Sequence, residues 1–172
     1  MIAPEPQNIV TQIERILQKY SKMVYRLAYA RTKNRADAED LLQEVFLRCL
    51  KSNVQFNSDE HCKAWLIRTT VNCSKNLLTS AWFKRTILLK NPVEDPAESD
   101  EGVPGEEKSE VFYAVLDLPE KYRMVVHLYY YEDYSVAEIS EILSRKESTV
   151  KTQLYRAREL LKQKLKGEYD YV

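Results

Sequence analysis

Glycine is scarce in this chain, with three among 172 residues, at Gly102, Gly105 and Gly167. A β-sandwich turns its strands on many tight loops, and a doubly wound nucleotide fold needs a glycine-rich phosphate loop. Neither fits. Cysteine is equally sparse: Cys49, Cys62 and Cys73 form no C-x-x-C pair. A disulfide framework is excluded, and buried reduced thiols are expected. A ligand set of His61, Cys62 and Cys73 matches no zinc spacing, so no metal and no cofactor is expected. No apolar run approaches the ~18 residues that cross a bilayer. Met1 to Gln7 carries two prolines and no apolar core, unlike a signal peptide, so a cytoplasmic location is expected. The remaining composition, 44% apolar and 30% charged, is that of a globular and mostly helical protein.

An excess of one charge is also missing, since 26 Lys and Arg balance 26 Asp and Glu. The balance hides a partition. Residues 1–90 carry a net +7, residues 91–110 a net −7, and residues 111–172 none. Within the last block, residues 144–166 hold eight basic and two acidic residues. From His61 to Val93 there are six basic residues and no acidic one. Two basic stretches around an acidic one suggest two polyanion-binding units on a tether, or else two solvated helix faces. The acidic stretch, KNPVEDPAESDEGVPGEEKSE from Lys90 to Glu110, holds Pro92, Pro96, Pro104 and two glycines. Such a composition predicts an extended, largely disordered linker. The expected architecture is therefore all-α, with a domain over residues 1–90, a linker over 91–110 and a second domain over 111–172.

In the first domain, apolar residues from Ile9 to Ala28 recur at helical intervals and predict a long amphipathic helix, with a possible break near Tyr20 and Ser21. A second helix begins near Asp37, a candidate cap. Its core side is Ala38, Leu41, Leu42, Val45, Phe46 and Cys49. Asp40, Gln43, Glu44 and Leu47 point the other way, as a partner-binding or a plain solvated face. A turn containing Phe56 leads to a third helix, predicted from Glu60 to Thr79 and raggedly on to Trp82. Leu66, Ile67, Thr70, Val71, Cys73, Leu77 and Leu78 form its core side. Trp65, Arg68, Asn72, Lys75, Asn76 and Thr79 form the opposite side. Cations for phosphates, amides for base edges and an indole for stacking, with no carboxylate, suit single-stranded or melted nucleic acid. The alternative is a polar helix surface whose Trp65 covers a neighbouring helix.

In the second domain, a helix begins at Val111, and Pro119 opens another that runs to about Tyr131. His127 lies in that apolar helix and reads as a packing residue. Ser135 and Glu138 spell a capping box before a short helix with Val136, Ile139, Ile142 and Leu143 inside. Ser144, Arg145 and Lys146 break it, and a longer basic helix follows with Val150, Leu154, Ala157, Leu161 and Leu165 inward. Short helix, tight turn and basic helix together spell helix-turn-helix. Ser148, Thr149, Lys151, Thr152, Tyr155 and Arg156 are candidates for major-groove edges and flanking phosphates; a helical hairpin for protein contact is the alternative. No nucleophile–base pair or carboxylate pair for a metal stands out, because Asp37, Glu39 and Asp40 sit at a helix start without further partners. An enzyme is not expected.

DAEDLLQEVFLR, AWLIRTTVNCSKNLL, LPEKYRMVVHLYYYEDYSVAEISEIL and STVKTQLYRAREL, in that order around the tether, resemble the extracytoplasmic-function (ECF) sigma factors of bacterial RNA polymerase. The resemblance covers a region two from about Ile9 to Arg85 and a region four from about Val111 to Lys166. It implies a factor that carries core RNA polymerase to promoter DNA and starts transcription of a signal-responsive set of genes. Asp40, Gln43, Glu44 and Leu47 would dock on the beta-prime clamp coiled coil. Phe56 and Asn57, in the loop up to Glu60, would hold a base flipped from the −10 element. Trp65, Arg68, Asn72, Lys75 and Asn76 would hold the melted strand, and the helix from Ser148 would enter the −35 major groove. Region four would also touch the beta flap, and an anti-sigma factor, membrane-anchored or not, is implied. A duplex-binding regulator working without polymerase is the alternative. Three residues depart from the family pattern: Ser144 where glycine is common, Lys146 where a capping serine is common, and Gln153 where arginine is common. A non-glycine residue at positive φ costs about 1 kcal/mol or more.

Overall fold

The computed structural model describes residues 6–88 and 109–169, with the side chains of Leu78, of residues 80–88 and of 168–169 outside that set. The expected tether lies outside the described residues except for Ser109 and Glu110. Among the described residues all regular structure is helical. The chain divides into two compact units, Met1–Phe83 and Lys84–Val172.

The first unit is built on α1 (Pro6–Thr32), α2 (Arg35–Ser52) and the start of α3 (Asp59–Leu88). α1 runs unbroken through Tyr20, so of the two readings of this helix the continuous one holds. Tyr20 is buried and its hydroxyl donates to the Asp59 carbonyl at 3.2 Å, so the apolar stripe continues across that point. The turn from α1 to α2 is made by Lys33 at φ 53°. The cap of α2 is Asn34, three residues before the expected Asp37. Asn34 is extended, and its side-chain oxygen accepts from the Asp37 N–H at 3.0 Å. Asp37 instead places a carboxylate in the first turn, where the helix dipole favours it. α3 reaches nine residues beyond Thr79 in backbone terms.

Val24, Leu27 and Ala28 of α1, Ala38, Leu41 and Val45 of α2, and Leu66, Ile67 and Val71 of α3 exclude solvent almost completely. Thr70 and Ser74 are buried among them, their hydroxyls donating to the Leu66 and Val71 carbonyls at 2.7 Å each. Arg31 is also buried, and its Nε donates to Ser74 Oγ at 2.7 Å. With Tyr20 on Asp59 at one end and Arg31 on Ser74 further along, α1 and α3 run in the same direction, with their inner faces pinned at two points.

The second unit holds α4 (Glu110–Leu116), α5 (Glu120–Val126), α6 (Val136–Leu143) and α7 (Glu147–Tyr169). Ser109 caps α4 by accepting from the Phe112 N–H at 3.2 Å. Buried Arg123 donates through Nη1 to the Leu116 and Leu118 carbonyls at 3.0 and 2.9 Å, which satisfies acceptors left open where α4 ends. Val115, Leu118, Tyr122 and Val126 close on Ala157, with Leu160 and Leu161 beside them. The expected helix to Tyr131 ends in a π-helical turn, His127–Tyr131, which the apolar pattern did not announce. It stacks His127 on Tyr131 with ring centres 5.2 Å apart. It also leaves His127 Nε2 3.6 Å from the Glu132 carboxylate, both groups buried. Ser144 stands at φ 53° after α6, as its position in the turn implied. Together with Lys33, Asn53 and Asp133 it occupies the left-handed region without glycine.

The capping box is formed in both directions. The Ser135 N–H donates to Glu138 Oε2 at 2.8 Å, and the Glu138 N–H donates to Ser135 Oγ at 3.2 Å. The Ser135 backbone N–H, helped by its hydroxyl, holds the Glu138 carboxyl below its ordinary value of 4.5. Its charged form therefore favours the folded state above the unfolded pKa, and that contribution disappears as pH falls through the lower folded pKa. Ser135→Ala is expected to cost about 1 kcal/mol in urea unfolding at neutral pH. For Glu138→Gln the loss in melting temperature should be full at neutral pH and close progressively in acid, below pH 4.5; a pH-independent difference would contradict the charged cap.

Candidate nucleic-acid interface

The burial of Leu66, Ile67, Val71 and Ser74 turns Arg68, Asn72, Lys75, Asn76 and Thr79 into solvent. These five are all exposed, and no acidic residue occurs between His61 and Val93 to oppose them. Trp65 is only half exposed. Its indole meets the Phe56 ring edge-on with centres 5.8 Å apart, and Phe56 in turn meets His61 at 5.5 Å. Trp65 thus belongs to an aromatic cluster at the start of the α3 face.

The loop before α3 is closed by residues that pattern reading passed over. Ser58 Oγ accepts from the His61 N–H at 3.1 Å, and His61 Nδ1 accepts from the Asn57 N–H at 3.3 Å. Helical spacing draws attention to faces, and these contacts sit in a turn with no periodicity. A cavity of about 230 Å³ opens on the other side of Phe56, with Ile13, Ile16, Cys49, Leu50 and Val54 among its walls. The Asn57 side chain is exposed and outside that cavity.

On α2, Asp40, Gln43, Glu44 and Leu47 are exposed along one side. Glu44 is tied to Arg48 at 2.7 Å. Leu50 joins Leu47 as a second exposed leucine that the sequence reading had not singled out. The three thiols are buried, and burial pushes Cys62 up to about 11. They are poor nucleophiles in consequence. Among the described residues no three His, Cys, Asp or Glu side chains gather as metal ligands, and no helix is long and apolar enough to cross a membrane.

In the second unit, Val150, Leu154 and Ala157 are buried, which leaves Ser148, Thr149, Lys151, Thr152, Tyr155 and Arg156 exposed. Tyr155 is 63% exposed, the most open of the large apolar side chains among the described residues. The Thr152 hydroxyl donates back to the Ser148 carbonyl at 2.9 Å, which leaves its oxygen as an acceptor. Gln153, where the family pattern favours arginine, is half-buried. It accepts from Arg145 Nη1 at 3.0 Å, and the same Nη1 donates to the Lys121 carbonyl at 3.3 Å. The turn residue Arg145 therefore braces α5 and α7 against each other. Lys146 precedes α7, and with only donors on its side chain it cannot cap as serine does.

Fold and surface together define a protein of two helical modules. One carries a carboxylate-free cation and amide face, and the other a helix-turn-helix with a basic second helix. Residues 16–84 match the family model for sigma-70 region 2, and residues 110–161 match that for sigma-70 region 4. The ECF RNA polymerase sigma factor SigM of Bacillus subtilis is 32% identical over 160 residues, covering 87% of this chain and 93% of that relative. SigW of the same organism is 29% identical over 163 residues, covering 88% and 87%. The chain belongs to the ECF RNA polymerase sigma factors. The sigma factor RpoE of Bartonella quintana, solved in complex with the anti-sigma factor NepR, shares the fold. Its TM-score is 0.71 at 18% identity, over 90% of this chain and 97% of that one.

Because Gln153 accepts from a half-buried guanidinium, Gln153→Leu is expected to lower the unfolding free energy of the full chain by about 1.5 kcal/mol. Urea titration followed by circular dichroism measures this; an unchanged midpoint would show that the brace contributes nothing.

Proposed function

We propose that this sigma factor works by dividing promoter recognition between its two units, with residues 1–90 on core polymerase and the −10 element, 91–110 as the acidic connection, and 111–172 on the −35 element. Asp40, Gln43, Glu44 and Leu47 dock on the beta-prime clamp coiled coil. Phe56 and Asn57 receive a base flipped out of the −10 element. Trp65, Arg68, Asn72, Lys75 and Asn76 hold the melted strand. Ser148, Thr149, Lys151, Thr152, Tyr155 and Arg156 meet the −35 duplex, and the second unit also touches the beta flap.

The observation that carries this reading is the outward, carboxylate-free strip from Arg68 to Thr79 on a helix whose other side is fixed in a dry core. The mechanism is physical. Taking a base out of the stack costs a few kcal/mol, and stacking and amide contacts offset that cost. Phosphate contacts by Arg68 and Lys75 make the binding fall with salt. No step needs a catalytic group in this chain, since core polymerase supplies the chemistry. An anti-sigma factor is proposed as the inhibitory partner, as NepR is bound to RpoE of Bartonella quintana.

Core polymerase with this chain is expected to give a run-off transcript from a cognate promoter that core alone does not give. Lys151→Ala combined with Arg156→Ala should reduce −35 duplex affinity of that holoenzyme by at least about tenfold, given ~1–3 kcal/mol for a lost base contact. Tight duplex binding by the free chain, with no complex with core in gel filtration, would instead identify a regulator that works alone.

A further inference from the structure

The turn ahead of α3 is closed by a side chain of the helix that follows it. Ser58 precedes α3, and its hydroxyl oxygen accepts from the His61 N–H, as an N-cap serine does. In a capping box, a glutamate at the third helical position reaches back to the N–H of the cap residue. Here an imidazole stands at that position and reaches one residue further, its Nδ1 accepting from the Asn57 N–H. The Asn57 N–H therefore has a set direction, and so has the peptide that joins Phe56 to Asn57.

The same imidazole meets the Phe56 ring edge-on, with the planes at 80°. Trp65, one turn further along α3, also meets Phe56 edge-on. The start of α3 is anchored to α1 in its turn. Lys19 Nζ donates to Asp59 Oδ2 at 2.6 Å, and the Asp59 carbonyl accepts from Tyr20. Asn57 and Ser58 are thus held against a helix start that does not move. His61 is exposed, so the dry core gives no reason for an imidazole there. Its hydrogen bond and its ring contact go to the two residues of the turn, Asn57 and Phe56, that were assigned to the flipped base.

We propose that His61 is a positioning residue for reading the −10 element: its Nδ1 clasps the Asn57 N–H and its ring backs Phe56, so that the turn is set before a base arrives. The inference rests on the reading that Phe56 and Asn57 receive the flipped base, and it adds the group that orders them. A turn ordered in advance loses no backbone freedom when the base is captured. Without the clasp that loss falls at capture, and only for a base that is captured. The clasp therefore raises the preference for the cognate base and leaves the −35 contact untouched. Because Nδ1 accepts, the neutral ring carries its proton on Nε2. The clasp and any outward contact of the ring use different nitrogens, and amide side chains tell them apart. The Asn side-chain oxygen lies as many bonds from the backbone as Nδ1 does, and the Gln amide lies as many as Nε2.

The test uses holoenzyme assembled from core polymerase and the full chain. It reads open-complex affinity on a cognate promoter and on promoters substituted singly through the −10 element; the ratio is the −10 preference. His61→Phe keeps a ring beside Phe56 and removes the acceptor. It should lower the preference by about tenfold at unchanged −35 affinity, the size of one backbone residue ordered at capture. His61→Asn should restore the preference, and His61→Gln should not. Restoration by Gln and not by Asn would show that Nε2 acts on the DNA, and would overturn the clasp. A full preference in His61→Phe would overturn it as well, while the role of the turn stands if Phe56→Ala with Asn57→Ala abolishes the preference. If that double variant keeps the preference, the reading of the turn itself has failed, and the clasp with it.

Discussion

Two hydrogen bonds decide what the first unit shows to the outside. Tyr20 holds the Asp59 carbonyl, and Arg31 holds Ser74 fifteen residues later, so α3 is fixed against α1 in both register and rotation. A slip of one residue would turn α3 by about 100°. Moved one way it would carry Arg68 and Lys75 into the buried places of Ile67 and Ser74, at several kcal/mol per buried charge; moved the other way it would bring Val71 into the exposed place of Asn72. The polar strip on α3 is therefore not a matter of surface composition alone. It is the necessary opposite of a strip that must stay dry.

The second unit reaches the same result by a different device. Here the braces are cationic and turned inward. Arg123 closes the end of α4 and Arg145 joins the turn to α5 and α7, while Lys121, Lys151 and Arg156 remain outside. The zero net charge of the chain does not weaken these surfaces, because at physiological salt a charge acts over only about 8 Å. What a phosphate meets is the local face, and the compensating acids are concentrated in residues 91–110. That separation lets one balanced chain carry two basic surfaces.

The helices and their dry sides were legible in the sequence because they depend on spacing. Leu41, Val45, Leu66, Val71, Val150 and Leu154 were all expected inside, and all are buried. The capping box at Ser135 was legible because both partners lie three residues apart. Events at turns were less legible. Asn34 displaced Asp37 as a cap, since several polar residues there compete and backbone extension selects among them. The π-helical turn at His127 left no periodic trace. Of the candidate interface, exposure of the α2, α3 and α7 faces followed from the core pattern. The aromatic contacts of Phe56, His61 and Trp65 and the span of Arg145 join residues by three-dimensional proximity, for which one sequence offers no signal.

The central claim is that the α3 face captures a strand which the polymerase complex has opened. Permanganate reactivity of unpaired thymines across the −10 element tests this most directly, on one promoter with core alone, the free chain alone, the holoenzyme, and holoenzyme carrying Arg68→Ala with Lys75→Ala. Reactive non-template thymines should appear with the holoenzyme only and fade in the double variant at unchanged −35 occupancy. Equal reactivity in the double variant, or thymines opened by core alone, would contradict a role for this face in holding the melted strand.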